Sequence, residues 1–355
     1  MKERGIAAVA VGPTAYMTYL TGAKPHADER ACLYVVTPQK AAFLMPALNA
    51  DQIRSQLPAG AELPFHIWSD AEGPEATLAG LVSALGLAGA AHVDVDESMR
   101  ADFALLFLDA VKPASRGFAG ASLGALRMCK TAQEIAEIDR NAAIDDEAMR
   151  AAFACVKAGL RECDVAAEVI KVFGQHDAKP LFTIIGAGSN GAFPHHSVSE
   201  RVIAQGDAIV IDIGARQGLF SSDITRMAVI GTPSAEYLEV HGTVERAVQA
   251  ALKAAKPGVK ARAVDEAARN VIAAAGYGEF FTHRTGHGLG LEGHEPPYLT
   301  ETSETVLEEG MVFSIEPGIY LPGKFGVRLE EIVVLEKDGP RIVSKLPRDP
   351  HVVTG

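Results

Sequence analysis

Over the first third of the chain, short β-prone runs alternate with stretches of helical spacing. IAAVAV (6–11), ACLYVVT (31–37) and AAFLM (41–45) are apolar runs, and HVDVD (92–96) alternates apolar and polar positions as a half-buried strand does. Residues 75–86 and 98–111 repeat apolar side chains at helical intervals. The alternation predicts an α/β layer of about one domain's size.

A long alanine-rich amphipathic stretch follows, from Lys130 to about Lys157. Thr131 and Glu134 have the spacing of a capping box, and Ile135, Ile138, Ala142 and Met149 fall on one helical stripe. Gly159 is expected to end this helix. The domain boundary is placed just before it, giving an N-terminal domain of 1–127 and a second domain of 128–355. Further helices are expected at 164–175, 234–256 and 261–275, the last two separated by Pro257-Gly258 and closed by Gly276. Strand-like runs at 181–188, 208–215, 219–230, 310–320 and 326–335 fill the second domain.

The composition narrows the classes of function. A chain of 355 residues fits two domains, and 48% apolar with 22% charged residues is ordinary globular composition. A net charge of −12 argues against a nucleic-acid surface or a basic membrane patch. The four cysteines (Cys32, Cys129, Cys155, Cys163) are scattered, which reads as reduced thiols. The N-terminal apolar run is short and broken by Gly12-Pro13, unlike a signal peptide, and no stretch has the apolar length of a membrane span. A cytoplasmic enzyme is expected.

Five residues carry the candidate chemistry. They are Asp212 in IDIG (211–214), Asp223 in SSDITR (221–226), His287 in HRTGHGLG (283–290), Glu316 in SIEPGIY (314–320) and Glu330 in VRLEE (327–331). In AIVIDIG, Ile209, Ile211 and Ile213 share one face and leave Asp212 on the other, where a carboxylate is costly to bury unless paired or metal-bound. A two-residue turn at Gln217-Gly218 would set Asp223 directly opposite Asp212, with Thr225 on the same face to orient the Asp223 carboxylate. A turn centred on Gly323 would set Glu316 opposite Glu330, while Glu331, on the other face, is expected to point outward. His287 sits among Gly286, Gly288 and Gly290, which let the backbone approach closely. Four carboxylates and one imidazole make a ligand set for two divalent cations, since one cation would leave the anions in repulsion. Oxygen-rich ligands with a single imidazole suit Mn²⁺ best, with Co²⁺, Zn²⁺ or Fe²⁺ also able to fit. His195 and His294 become candidate acid/base or oxyanion groups, His283 a support to the ligands, and His196 a structural histidine.

Together these stretches resemble the pita-bread metallopeptidase family, which includes methionine aminopeptidases, aminopeptidase P and prolidase. The resemblance spans essentially the whole chain and is strong over its last 170 or so residues. It implies an α/β N-terminal domain plus an α+β pita-bread catalytic domain. The family's ligands, in the order Asp, Asp, His, Glu, Glu, fall on Asp212, Asp223, His287, Glu316 and Glu330, and its two catalytic histidines on His195 and His294. YLTG (19–22) followed by Glu29-Arg30 resembles the N-terminal domain of prolidases and creatinase. The loop after His294 departs from many prolidases, reading Glu-Pro-Pro-Tyr for Glu-Glu-Pro-Tyr.

The activity so implied is hydrolysis of Xaa-Pro dipeptides through a metal-bridging hydroxide, with Glu316 taking the proton of the water and the two histidines stabilising the oxyanion. The family further implies a homodimer in which a partner loop limits substrate length. GAKPHADER (22–30) is the candidate loop, with His26 and Arg328 as candidate contacts to the substrate carboxylate. The alternatives are aminopeptidase P-like trimming of longer peptides and metal-dependent chemistry on a non-peptide small molecule.

Overall fold

The computed structural model describes residues 1–354. The chain divides into two compact units, Met1–Arg127 and Met128–Gly355.

In the first unit one sheet has the strand order β4-β3-β2-β1-β5-β6. Its strands are β1 (Ala8–Val11), β2 (Leu33–Val36), β3 (Ala41–Pro46), β4 (Phe65–Trp68), β5 (His92–Val95) and β6 (Ser115–Phe118). The helices are α1 (Ala15–Thr21), α2 (Ala47–Gln56), α3 (Glu75–Leu85), α4 (Ala101–Val111) and α5 (Gly124–Met128). Because side chains alternate along a strand, the sheet buries both faces. Ala8, Ala10, Leu33 and Val35 pack with Leu78 of α3 and Phe103 and Phe107 of α4. Val9, Val11, Phe43 and Met45 pack with Met17 of α1 and Ile53 of α2.

The second unit opens on α6 (Ala132–Cys155), whose Thr131–Glu134 capping box forms. The helix ends at Val156 in extended backbone, three residues before Gly159; that glycine, with φ +90°, turns the chain into α7 (Glu162–Gln175) instead of capping α6. Strands β7 (Lys179–Ala187), β8 (Ala208–Arg216) and β9 (Ile224–Ile230) follow, then α8 (Ala235–Ala254) and α9 (Ala261–Ala274). The remaining strands are β10 (Gly286–Gly288), β11 (Glu295–Leu299), β12 (Val312–Ile315), β13 (Gly318–Leu321), β14 (Phe325–Arg328), β15 (Glu331–Glu336), β16 (Gly339–Ile342) and β17 (His351–Val353). They form a sheet ordered β17-β9-β8-β7, a second ordered β11-β10-β12-β15-β16, and the β13-β14 ribbon. A helix pair followed by antiparallel strands thus occurs twice, in the arrangement of the pita-bread fold.

Strand β8 shows how the fold positions a site. Its odd positions Ile209, Ile211 and Ile213 pack against α6 and α7 with Ile144, Ala148 and Phe173. Val210, on the even face, joins the core of α8, α9 and the second sheet, with Val244, Phe313 and Val333. Asp212 is on that even face, between two helix-covered sheets. No helix among the described residues is long and apolar enough to cross a membrane.

Candidate metal centre

The β8–β9 pairing differs from a tight turn. Residues 217–223 form a wider loop, because α6 side chains hold it open: Asn141 Nδ2 donates to the carbonyls of Gln217 at 3.1 Å and Phe220 at 3.0 Å, and the Glu137 carboxylate accepts from Phe220 N at 2.8 Å. Asp212 therefore lies opposite Thr225, and Asp223 falls just before β9. The shift is two residues, which preserves the face, so Asp223 still points the same way as Asp212. The Glu316–Glu330 pair follows the expected register. Gly318 opposes Arg328 in the β13-β14 ribbon and Ile315 opposes Glu331 between β12 and β15, one continuous pairing that Pro317 interrupts at Glu316.

These elements bring all five ligand candidates to one cavity of about 650 Å³, with His195, His283, Arg284, His294 and Arg328 also on its wall. Ligand atoms of His287, Glu316 and Glu330 lie within 4.8 Å of one another, as do those of Asp212, Asp223 and Glu330. Asp223, His287 and His294 form a third such group, so Asp223, His287 and Glu330 each belong to two of them.

The hydrogen bonds fix the donor chemistry. A carbonyl can only accept, so the 3.0 Å contact to Gly288 O places a proton on His287 Nδ1 and leaves Nε2 bare. That Nε2 lies 3.1 Å from Glu316 Oε1 and 3.9 Å from Asp223 Oδ2. Ser314, unnoticed in the sequence, braces both groups: its hydroxyl donates to Glu316 Oε1 at 3.0 Å and accepts from His287 N at 2.9 Å. Asp212 Oδ1, Asp223 Oδ1 and Glu330 Oε1 are buried without a hydrogen-bond partner. Such orphaned carboxylate oxygens are expensive unless a cation meets them, so the donor set fits divalent metal ions.

The electrostatics agree with that fit. Burial, then the charges of neighbouring carboxylates, push Asp223 and Glu330 well above the ordinary carboxylate range. Burial works the same way on Glu316; a protonated His287 would draw that carboxyl down to about 2, and with Nε2 bare that positive charge is left for a cation to supply.

Arg328, foreseen as a substrate contact, is buried and already engaged. It pairs with Asp212 and donates to Thr225 Oγ1 at 3.2 Å, Tyr320 Oη at 2.8 Å and Pro194 O at 3.2 Å. Thr225 donates to Glu330 Oε2 at 2.8 Å, so it orients Glu330 rather than Asp223. The cause is the register, which places Thr225 next to Asp212 and below Glu330. His283 Nδ1 donates to Arg284 O at 2.7 Å, so its Nε2 accepts from Tyr320 Oη at 2.8 Å. Glu331 is not outward. Residues 344–348 cover its strand face, and it is buried against Arg226 at 2.9 Å and Arg348 at 2.8 Å.

His294 accepts at Nδ1 from Arg284 Nη2 at 3.1 Å, because a guanidinium only donates. The proton is therefore on Nε2, which suits a hydrogen-bond donor better than a ligand. Its ring centre is 3.9 Å from that of His287, and burial, helped by His287 and Arg284, lowers its pKa to about 4. His195 is exposed at the cavity, on the loop after β7. Neighbouring His196 instead bonds Glu162 at 2.8 Å, a buried carboxylate that also accepts from Ala187 N, Asn190 and Ser199 and so anchors this loop. His26 is exposed on the loop between α1 and β2 in the first unit.

Comparison with known proteins agrees with this geometry. Residues 136–337 match metallopeptidase family M24. The chain is 37% identical to the probable dipeptidase PepE of Mycobacterium tuberculosis, over 99% of its own length and 93% of that protein's. It is 34% identical to the Xaa-Pro dipeptidase of Pyrococcus horikoshii, over 98% and 95% respectively. The crystal structure of dipeptidase PepE from Mycobacterium ulcerans superposes with a TM-score of 0.94 at 35% identity, covering 99% of this chain and 94% of that one. A pita-bread fold with its candidate ligands gathered in one cavity, matched by relatives along the full chain, places this protein in metallopeptidase family M24.

Proposed function

We propose that this protein hydrolyses the peptide bond before proline in Xaa-Pro dipeptides at a centre of two divalent metal ions. The observation that carries the reading is the pair of ligand triads sharing Glu330, with three buried carboxylate oxygens left without partners. Asp212, Asp223, His287, Glu316 and Glu330 would hold the metals, Mn²⁺ being best suited to this oxygen-rich set. When bound, such a pair supplies Lewis acidity and a water acidified towards neutral pH.

The chain's own groups do the rest. Glu316, held by Ser314 and His287, is placed to take a proton from the attacking water and pass it to the leaving nitrogen. His294 presents Nε2–H towards the carbonyl oxygen as charge develops on it, and His195 stands exposed at the same cavity. Phe182, Ile184 and Pro194 give the cavity an apolar wall that suits a pyrrolidine ring. An Xaa-Pro bond has no amide N–H, so a site built on metals and an apolar wall reads it without needing that donor. The relatives named as dipeptidases support the same substrate class.

The test is hydrolysis of Ala-Pro, Met-Pro, Ala-Ala and Ala-Pro-Ala with added Mn²⁺. Cleavage of the two Xaa-Pro dipeptides above the others is expected. Equal cleavage of the tripeptide would favour an aminopeptidase, and cleavage of none would point to a non-peptide substrate. Size-exclusion chromatography tests the expected homodimer, and cell fractionation the expected cytoplasmic location.

A further inference from the structure

Beside the ligand cluster, one buried ion pair has no part in the chemistry assigned above. Lys130 Nζ lies 2.8 Å from Glu295 Oε1, with the two side chains 1% and 2% exposed. Stability is a weak reason for such a pair, since apolar residues of similar volume often serve a core as well; what the pair supplies is direction. Lys130 stands just before Thr131, the N-cap of α6, and its own N–H donates to Gly310 O at 2.8 Å. Its ammonium also donates to Met128 O at 3.3 Å, so the charge projects from fixed backbone. Glu295 opens β11 directly after His294, and its second oxygen accepts from Glu292 N at 3.3 Å. In the loop before it, Gly290 N donates to Glu292 O at 3.0 Å and Gly290 O accepts from Ser221 N at 2.7 Å. A Cβ at Gly290 would come within 2.6 Å of Glu295 Oε1 and 3.0 Å of Lys130 Cε, so glycine is what lets the loop close over the pair. The partners are 165 positions apart, and no local pattern joins them.

From this we infer that Lys130 is a positioning residue for His294, holding through Glu295 the loop that presents the imidazole to the cavity. The inference rests on the hydrolase reading above and names what keeps its oxyanion donor in place. Successive side chains on extended backbone point to opposite sides. Drawing Glu295 inward to the ammonium therefore turns its neighbour His294 outward onto the cavity wall, where it is exposed. Strand pairing alone would fix that direction poorly, because the register between β10 and β11 slips at this point. His287 opposes Tyr298, whereas Gly288 opposes Glu295. The His294 ring must nonetheless stay 3.9 Å from that of His287, and the ion pair supplies the missing constraint. Arg284 bonds Nδ1 and orients the ring, whereas Lys130 fixes the backbone that carries it. Without the ammonium, Glu295 is an unpaired buried carboxylate, and the loop relieves it by moving towards water, taking His294 with it.

The experiment measures kcat and KM for Ala-Pro in Lys130→Met, Lys130→Arg and the double variant Lys130→Met with Glu295→Gln. Each is made in the wild type and in His294→Ala, and loaded with Mn²⁺. Melting temperature and metal content are checked for every variant, and hydrogen exchange is followed over residues 289–299. His294→Ala alone should lower kcat by about 100–1000-fold, the loss of one oxyanion donor. Lys130→Met should lower kcat by about 10–100-fold, the scale of a misplaced catalytic group, while KM and metal content stay near the wild-type values. In His294→Ala the same change should cost less than about threefold, because the group it positions is gone. Lys130→Arg keeps the charge and should recover part of kcat. The double variant leaves no buried charge, so it carries the test should Lys130→Met not fold, and the same drop in kcat is expected of it. Exchange over 289–299 should quicken in both Lys130→Met variants and stay slow over β8. Equal losses in the two backgrounds would show a general structural role and overturn the assignment, as would an unchanged kcat or unchanged exchange of the loop. A wild type that cleaves no peptide would defeat the hydrolase reading and the assignment with it, whereas active wild type with indifferent Lys130 variants would defeat the assignment alone.

Discussion

His287 Nε2 lies 3.1 Å from Glu316 Oε1, with its own proton turned away onto the Gly288 carbonyl. Two electron-rich atoms held face to face in a largely buried site repel unless something positive lies near both. The neighbouring triad of Asp212, Asp223 and Glu330 poses the same problem. Stripping metal with a chelator should therefore abolish hydrolysis and lower the melting temperature. Returning Mn²⁺ at about a hundred times its Kd should restore about 2.7 kcal/mol per site, enough to move the melting temperature by several degrees. Elemental analysis of the reloaded protein should find two ions per chain. A melting curve indifferent to chelation would count against the centre.

Two carboxylates in the cluster should respond in opposite directions when neutralised. Glu330 has an orphaned oxygen, and burial with its anionic neighbours raises its pKa well above the ordinary value. A raised folded pKa means that ionising the group costs stability as pH climbs above the unfolded value of about 4.3. Glu330→Gln should thus raise the melting temperature of metal-free protein near pH 8, keep the acceptor for Thr225, and weaken metal binding by at least about tenfold. Asp212 is the partner of buried Arg328. Asp212→Ala should cost about 3–5 kcal/mol even without metal, since it leaves that guanidinium uncompensated. Melting curves of both variants after chelation, with calorimetric metal titrations, decide the matter.

Glu331 offers a control beside the ligands. It is 1% exposed and paired with Arg226, itself fully buried, and with Arg348. Glu331→Ala should lose about 3–5 kcal/mol in urea unfolding, because buried Arg226 loses its carboxylate partner, while Arg348 keeps Glu245. Metal content of the folded fraction should stay at the wild-type value. Loss of metal without loss of stability would mean that the two adjacent glutamates have been assigned the wrong way round.

The sequence made the site legible where a polar residue interrupts an apolar alternation. Asp212 among Ile209, Ile211 and Ile213 is such a break, and β8 turns those isoleucines to α6 and α7. Glu316 before Pro317 is another, and the register about Gly323 follows from the turn alone. What escaped notice depends on segments remote in the chain. The side chains of Asn141 and Glu137 widen the β8–β9 loop from α6, which no local pattern around Gln217-Gly218 announces. Glu331 reads as outward because strand alternation says nothing of the 344–348 segment that covers it. Arg328 looked available for substrate because its ion pair with Asp212 spans 116 positions. Ser314 and Glu162 are single polar residues whose partners appear only once the strands and loops are assembled.

Glu162 should govern how the protein responds to acid. It is fully buried at the start of α7 and ties Ala187, Asn190, His196 and Ser199 together beneath the loop that carries His195. Burial alone would raise its pKa, but hydrogen bonds from Ser199, Ala187, His196 and Asn190 overcome burial and leave the carboxyl below its ordinary value. With the folded pKa depressed, the unfolded chain takes up the proton first. The stabilisation is complete above the unfolded value of about 4.3 and fades as pH falls through the lower folded value. Melting temperatures of the wild type and Glu162→Gln, measured from about pH 7 down to pH 3, should converge as acidity rises, the variant starting lower and falling less steeply. The loop should also hold His195 less firmly in the variant, so kcat for Ala-Pro should drop at neutral pH while two metal ions per chain remain bound. Parallel melting profiles for the two proteins would show that this carboxylate does not carry the acid response.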